Sequence, residues 1–199
     1  QKYLNFVIIG GGPTGVELAG AISEIVNQNL IPDFRNIDAS MTKVYMIEAL
    51  PKILSSYPES LSRRALEDLQ KLEVEVILNK KVTGISENGV KVDDRFIETK
   101  NILWAAGNQA SSLIKNAGIQ TDRAGRAVVI DDLSIEGFSN IFVIGDAAAF
   151  KNKKGEQLPA IAPVAIQQGQ FVAKIIAEGL IGKSHKKFIY KDRGTMATI

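Results

Sequence analysis

The run Phe6-Val7-Ile8-Ile9-Gly10-Gly11-Gly12-Pro13-Thr14-Gly15-Val16-Glu17 limits what this chain can fold into more than any other segment. A short apolar strand leads directly into G-x-G-x-x-G and then into an amphipathic helix. Gly10 lets the chain turn sharply off the strand. Gly12 has no Cβ, so phosphates can approach the backbone, and Gly15 lets the helix pack tightly on the strand. N–H groups at the helix start, with the positive end of its dipole, then suit an anion. In this order the motif points to a dinucleotide pyrophosphate. The alternative is a tight strand-to-helix turn with no ligand.

Hydrophobic spacing predicts a strand over 5–9 and a helix over 14–29, with Leu18, Ala19, Ile22, Ile25 and Val26 on its buried face. A polar connection over 31–38 leads to a strand over 43–48. A loop with Pro51 and Pro58 precedes a helix over 60–72, with Leu61, Ala65, Leu69 and Leu72 on one stripe. A strand over 73–78 follows, then a β-rich stretch over 82–96 that turns at Glu87-Asn88-Gly89, then a strand over 101–106 ending in Ala106-Gly107. This β-α-β-α-β order with a meander and a last strand predicts an α/β chain, a parallel sheet with helices on both faces. From 108 the pattern changes to a short helix over 111–117 and strands over 128–130 and 141–144. The second of these ends in Gly145-Asp146, and a long helix spans 164–180. A boundary at Gly107–Asn108 gives two domains, 1–107 and 108–199.

A net charge of +2, from 24 basic and 22 acidic residues, gives no strong field for nucleic acid or an anionic membrane. Lys183, Lys186, Lys187, Lys191 and Arg193 read as solvated surface. There is no cysteine and one histidine, His185 in a polar connection, so disulfides and thiolate or histidine-rich metal sites are not expected. No apolar run is long enough to span a bilayer, and no signal peptide is expected in this stretch. The abrupt start and stop suggest a piece of a longer protein.

Four further features carry chemistry. Glu48, at the end of the second strand, is placed to accept hydrogen bonds from adenosine ribose hydroxyls and to repel a 2′-phosphate; its alternative is an ordinary strand-end carboxylate. No arginine pair follows it, which favours NADH over NADPH. Glu17 either stabilises the helix dipole or lies beside a nicotinamide. Gly145-Asp146 offers a carboxylate to flavin ribityl or ribose hydroxyls, or is simply a turn. Gln167-Gln168 offers neutral amides to a quinone or flavin carbonyl, or is polar helix surface.

Taken together, these segments resemble the Rossmann-like two-dinucleotide-binding-domain flavoproteins, and among them the type II NADH dehydrogenases (NADH:quinone oxidoreductases). The resemblance runs through Gly10 to Gly20, Val44-Tyr45-Met46-Ile47-Glu48-Ala49, Leu103-Trp104-Ala105-Ala106-Gly107 and Ile141-Phe142-Val143-Ile144-Gly145-Asp146-Ala147-Ala148. It continues through Ala162-Pro163-Val164-Ala165-Ile166-Gln167-Gln168-Gly169 and Tyr190 to Ile199. It implies a complete NADH domain plus a partial FAD domain. Gly10, Gly12, Pro13, Thr14, Gly15, Glu48, Ala106 and Gly107 would bind NADH. Gly145 and Asp146 would bind FAD, with Pro163, Val164 and Ala165 near the isoalloxazine. Glu17 would sit near the nicotinamide–flavin junction, and Gln167 and Gln168 would border a quinone pocket.

The implied reaction is hydride transfer from NADH to FAD, then two-electron reduction of quinone without proton pumping. The family's first glycine motif and its C-terminal membrane anchor have no counterpart in this sequence. Weak or no FAD binding and no turnover by this chain alone are therefore expected. So is self-association as a dimer through apolar faces at 141–144 and the last helix. The fragment is expected to be soluble, and the parent peripheral at the cytoplasmic face of a membrane. The competing readings are a ferredoxin or rubredoxin reductase, an apoptosis-inducing-factor-like flavoprotein and a non-catalytic NADH-binding module.

Overall fold

The computed structural model describes residues 2–30, 38–179 and 186–199; residues 31–37 of the expected connection over 31–38, the helix end at Leu180, and Lys183 and His185 lie outside them. The chain divides into two compact units, Gln1–Gly107 together with Met196–Ile199, and Asn108–Thr195. The last four residues, expected with the second domain, thus pack with the first.

In the first unit, β1 (Asn5–Ile9), β2 (Lys43–Ile47), β3 (Val74–Ile77) and β7 (Asn101–Trp104) form a parallel sheet in the order β3-β2-β1-β7. The strands of such a sheet are buried on both faces, and β1 and β2 are almost continuously apolar. Ile8, Val44 and Met46 pack against α1 (Pro13–Ile25) and α2 (Glu59–Lys71) through Val16, Ala19, Ala65 and Leu69.

The other face differs from expectation. Val7, Ile9, Tyr45 and Ile47 pack against Val90, Val92 and Ile97 of the antiparallel meander β4 (Val82–Ser86), β5 (Gly89–Val92) and β6 (Arg95–Glu98). Helices therefore cover one face and the meander the other. Its buried Thr99 fastens it to the sheet by donating its hydroxyl to the Asn5 carbonyl at 2.6 Å.

Both helices bury much of the expected stripe, Ala19 with Val26 just past α1 and Ala65 with Leu69 on α2, and Ile22 and Leu72 pack partly buried on the core, but single positions differ. On α1 the buried residues are Gly15, Val16, Ala19, Gly20 and Ser23, while Ile25 is 52% exposed. Small side chains let the helix sit close to the sheet and leave the larger ones at its rim. The helix then ends in one π-helical turn, Val26–Leu30. On α2, Ser62 is buried in place of Leu61, and its hydroxyl donates to the Ile53 carbonyl at 2.6 Å.

The second unit contains α3 (Ser112–Asn116), β8 (Ala127–Val128), β9 (Ser134–Ile135), β10 (Phe138–Phe142), β11 (Ala148–Ala149) and α4 (Ala162–Ala177). β8 pairs parallel with β11, and β9 antiparallel with β10. The core includes Ile114, Leu133, Ile135, Val164 and Val172, and Phe188 meets Phe150 and Phe171 edge-on at 5.4 and 5.5 Å. The strand expected over 141–144 lies at 138–142 instead. Val143 leaves the ladder to donate to the Leu133 carbonyl at 3.1 Å, and Ile141 and Ile144 are exposed.

Candidate functional site

In the first unit the strand order reverses at β1, with β2 on one side and β7 on the other. Open α/β sheets form their ligand crevice at such a point, beyond the carboxyl ends of the strands. The glycine turn lies there. Gly10 has φ +113°, and a Cβ on it would stand 2.8 Å from the Ala105 carbonyl oxygen. A Cβ on Gly15 would stand 1.9 Å from the Gly10 oxygen. The fold itself therefore requires both glycines. A Cβ on Gly12 would meet nothing within 4 Å. Gly12 is also the N-cap of α1, with Pro13 starting the helix and no side-chain cap. The first-turn amides of an uncapped helix need an outside partner, and an open backbone beside them suits a phosphate group.

Glu48 directly follows β2. One carboxylate oxygen accepts the Gly11 amide at 2.6 Å and the other accepts the Leu50 amide at 2.8 Å. The carboxylate is thus fixed against the glycine turn, and each oxygen keeps acceptor capacity for a hydroxyl. At the end of β7, Trp104 Nε1 donates to the Ala106 carbonyl at 2.6 Å, and Gly107 turns at φ +69° with open space on its Cβ side. Glu17 lies exposed on α1, where its Oε1 accepts the Thr198 amide at 3.3 Å. Ala197 packs on the core beneath α1 and α2, and a Cβ on Gly20 would lie 3.5 Å from Ile199.

In the second unit, Gly145 (φ +66°) opens a 3-10 turn, Gly145–Ala147. Asp146 in this turn lines a cavity of about 340 Å³ together with Asn108, Gln109, Ser111 and Arg126. The Gly145 amide donates to Gln168 Oε1 at 2.6 Å. α4 starts beside this turn: a Cβ on Gly145 would lie 3.3 Å from Ala165, and the helix has Pro163 in its first turn and no side-chain cap. Val164 is buried in the core. Gln167 forms a two-bond pair with the backbone of Lys191, donating to its carbonyl at 2.9 Å and accepting its amide at 3.0 Å.

Inspection of the sequence missed Arg126 and the 108–111 segment. Arg126 is held by Asp122, whose carboxylate accepts the Arg126 Nε at 2.7 Å and the amides of Ala124 and Arg126 at 2.9 and 3.0 Å. Burial pushes the Asp122 carboxyl up, but the Arg126 guanidinium and the two amides outweigh it and leave it below the usual range. The visible signal was the Asp122–Gly125–Arg126 spacing of a turn. Also unforeseen is a smaller cavity of about 180 Å³ lined by Phe150, Lys153, Phe188 and Tyr190. The Tyr190 hydroxyl is buried with no hydrogen-bond partner among the described residues, and burial raises its pKa.

Known proteins with similar sequences or structures share this architecture. The type II NADH:quinone oxidoreductase Ndh of Mycobacterium tuberculosis is 40% identical over 210 residues, which cover all of this chain and 44% of that protein. The type II NADH:quinone oxidoreductase of Staphylococcus aureus is 34% identical over 98% of this chain and 49% of its own length. The chain spans about half the length of the curated relatives it matches. In fold it is similar to NDH2 from Plasmodium falciparum in complex with RYL-552, with a TM-score of 0.84 and 18% identity over all of this chain and 56% of that one. It is also similar to a ferredoxin reductase from Rhodopseudomonas palustris, with a TM-score of 0.71 and 21% identity over 94% and 43% of the two chains. The family model for pyridine nucleotide-disulphide oxidoreductases matches residues 1–169, and the chain belongs to that family.

Proposed function

We propose that this chain supplies the NADH domain, residues 1–107, and part of the FAD domain, residues 108–199, of a type II NADH:quinone oxidoreductase. The observation that carries this reading is 34–40% identity, along essentially the whole chain, to relatives bearing that name. The open backbone at Gly12 and the uncapped start of α1 fit a pyrophosphate. Gly10 and Gly15 shape the turn, Pro13 presets the first helical residue, and Thr14 and Gly15 offer amides. Glu48, held by two amides, keeps acceptor capacity for the adenosine ribose and repels a 2′-phosphate. Ala106 and Gly107 line the same crevice from β7. Glu17 lies on the nicotinamide side.

In the second unit, Asp146 and the cavity beside it fit the hydroxyls of a flavin's ribityl chain, with Gly145 letting the turn approach α4. Pro163, Val164 and Ala165 form the first turn of α4, whose positive end favours negative charge on the flavin ring. FAD, when bound, supplies the hydride acceptor and the route for two electrons to quinone. Gln167 borders the quinone. We further assign the parent to the cytoplasmic face of a membrane, as a peripheral protein; no described helix is long and apolar enough to cross one. The exposed Phe138, Ile141, Ile144, Ile166 and Ile176 supply an apolar surface for self-association as a dimer.

Calorimetric titration with NADH and with NADPH tests the reading. Saturable binding with at least a tenfold preference for NADH is expected, and Glu48→Ala should erase the preference. Equal affinity for both nucleotides, or no binding by a folded chain, would overturn it. Quinone reduction by the full-length parent then separates this function from a ferredoxin reductase of the same fold.

A further inference from the structure

We infer that Gln168 is a positioning residue that acts through Gly145 to aim Asp146, and that it does not contact quinone. The inference rests on the proposed FAD site at Asp146 and concerns how that site is built. Gln168 is 1% exposed, so a ligand on the surface of α4 does not reach it. Its carbonyl oxygen accepts the Gly145 amide at 2.6 Å. That amide opens the Gly145–Ala147 turn, which has no side-chain cap of its own. A residue 23 positions away therefore satisfies the donor that starts the turn.

The surroundings hold this arrangement. Gly145 has a left-handed φ of +66°, and a Cβ there would press on Ala165 at 3.3 Å. The turn consequently lies close against α4, one helical turn from Gln168. The next residue, Asp146, is exposed and lines the cavity of about 340 Å³. Removing the acceptor would leave a part-buried amide without its partner and release the turn that carries the carboxylate. The neighbouring Gln167 faces another segment, exchanging two hydrogen bonds with the Lys191 backbone and keeping one N–H and one lone pair. The two adjacent amides therefore do different things, although their residue types match.

The test uses the full-length holoenzyme and the variants Gln168→Met, Asp146→Ala and the double variant. Met matches the shape of Gln and lacks its acceptor. FAD affinity is read from flavin fluorescence, and quinone KM and kcat are measured at saturating FAD. Gln168→Met is expected to weaken FAD binding about tenfold, with quinone KM unchanged within twofold. The double variant should bind FAD no more weakly than Asp146→Ala, because both changes remove the same contact. A raised quinone KM with intact FAD affinity, or fully additive losses in the double variant, would overturn the inference. If Asp146→Ala alone leaves FAD affinity unchanged, the FAD assignment of Asp146 itself falls. Should Gln168→Met not fold, Gln168→Asn, which draws the acceptor back by one methylene, is read in the same way.

Discussion

Gly12 and Gly15 are three positions apart and answer to different forces. A Cβ on Gly15 would sit inside the Gly10 carbonyl, whereas one on Gly12 would meet nothing. Replacing a helical glycine by alanine ordinarily stabilises a helix by about 1 kcal/mol. At Gly15 the sign should reverse, with Gly15→Ala costing about 1–3 kcal/mol of stability through overpacking. Gly12→Ala should leave the melting temperature unchanged and weaken NADH binding at least tenfold, since its methyl group occupies the approach to the backbone. Thermal melts and NADH titrations on the two variants check both halves. The motif spacing in the sequence predicted the close packing at Gly15. It did not predict that Glu48 is gripped by the Gly11 and Leu50 amides, because a backbone donor has no residue type to recognise. The divergence of Gln167 and Gln168 was hidden for a related reason: adjacent helix positions point about 100° apart, and only the packed structure decides what each one meets.

Elements were legible where apolar runs were unbroken. The first strand falls at 5–9 as its sequence predicts, and the ends of the first-unit elements agree within a few residues, apart from α1, which gives way to a π-helical turn after Ile25. Faces were less legible. Beside Val16 the close packing of α1 is made by glycine, alanine and serine, which hydrophobicity barely ranks, so the expected stripe held Ala19, Ile22 and Val26 but also took in the exposed Ile25 and passed over Gly15, Gly20 and Ser23. The meander was visible as strands, but nothing local to it announced that it would replace a helical layer. The turn held by Asp122 yields a prediction at this scale. Its carboxyl titrates below its ordinary value in the folded state, so its contribution to stability is present above the unfolded pKa of about 3.9 and disappears as pH falls through the folded value. Asp122→Asn should therefore lower the melting temperature at pH 6 and make little difference near pH 2. Melts followed across that range would show the two curves converging in acid. Parallel curves would remove Asp122 from the account.

The two units have separate cores, one built around Phe150 and Phe188, the others on the two faces of the parallel sheet. Scanning calorimetry should resolve two transitions, and NADH should raise only the one that belongs to the glycine-turn unit. A single transition that moves as a whole with NADH would mean that the cores unfold as one. The first unit is also not contiguous in sequence. It also takes in Met196–Ile199, where Ala197 packs against its core and Thr198 meets Glu17. A ribosome adding roughly 5–20 residues per second must therefore make the whole second unit before Met196–Ile199 can join the first, a wait on the order of ten seconds. During that interval the nascent glycine-turn unit carries an uncovered seat on α1, so its maturation is timed by the translation of its neighbour.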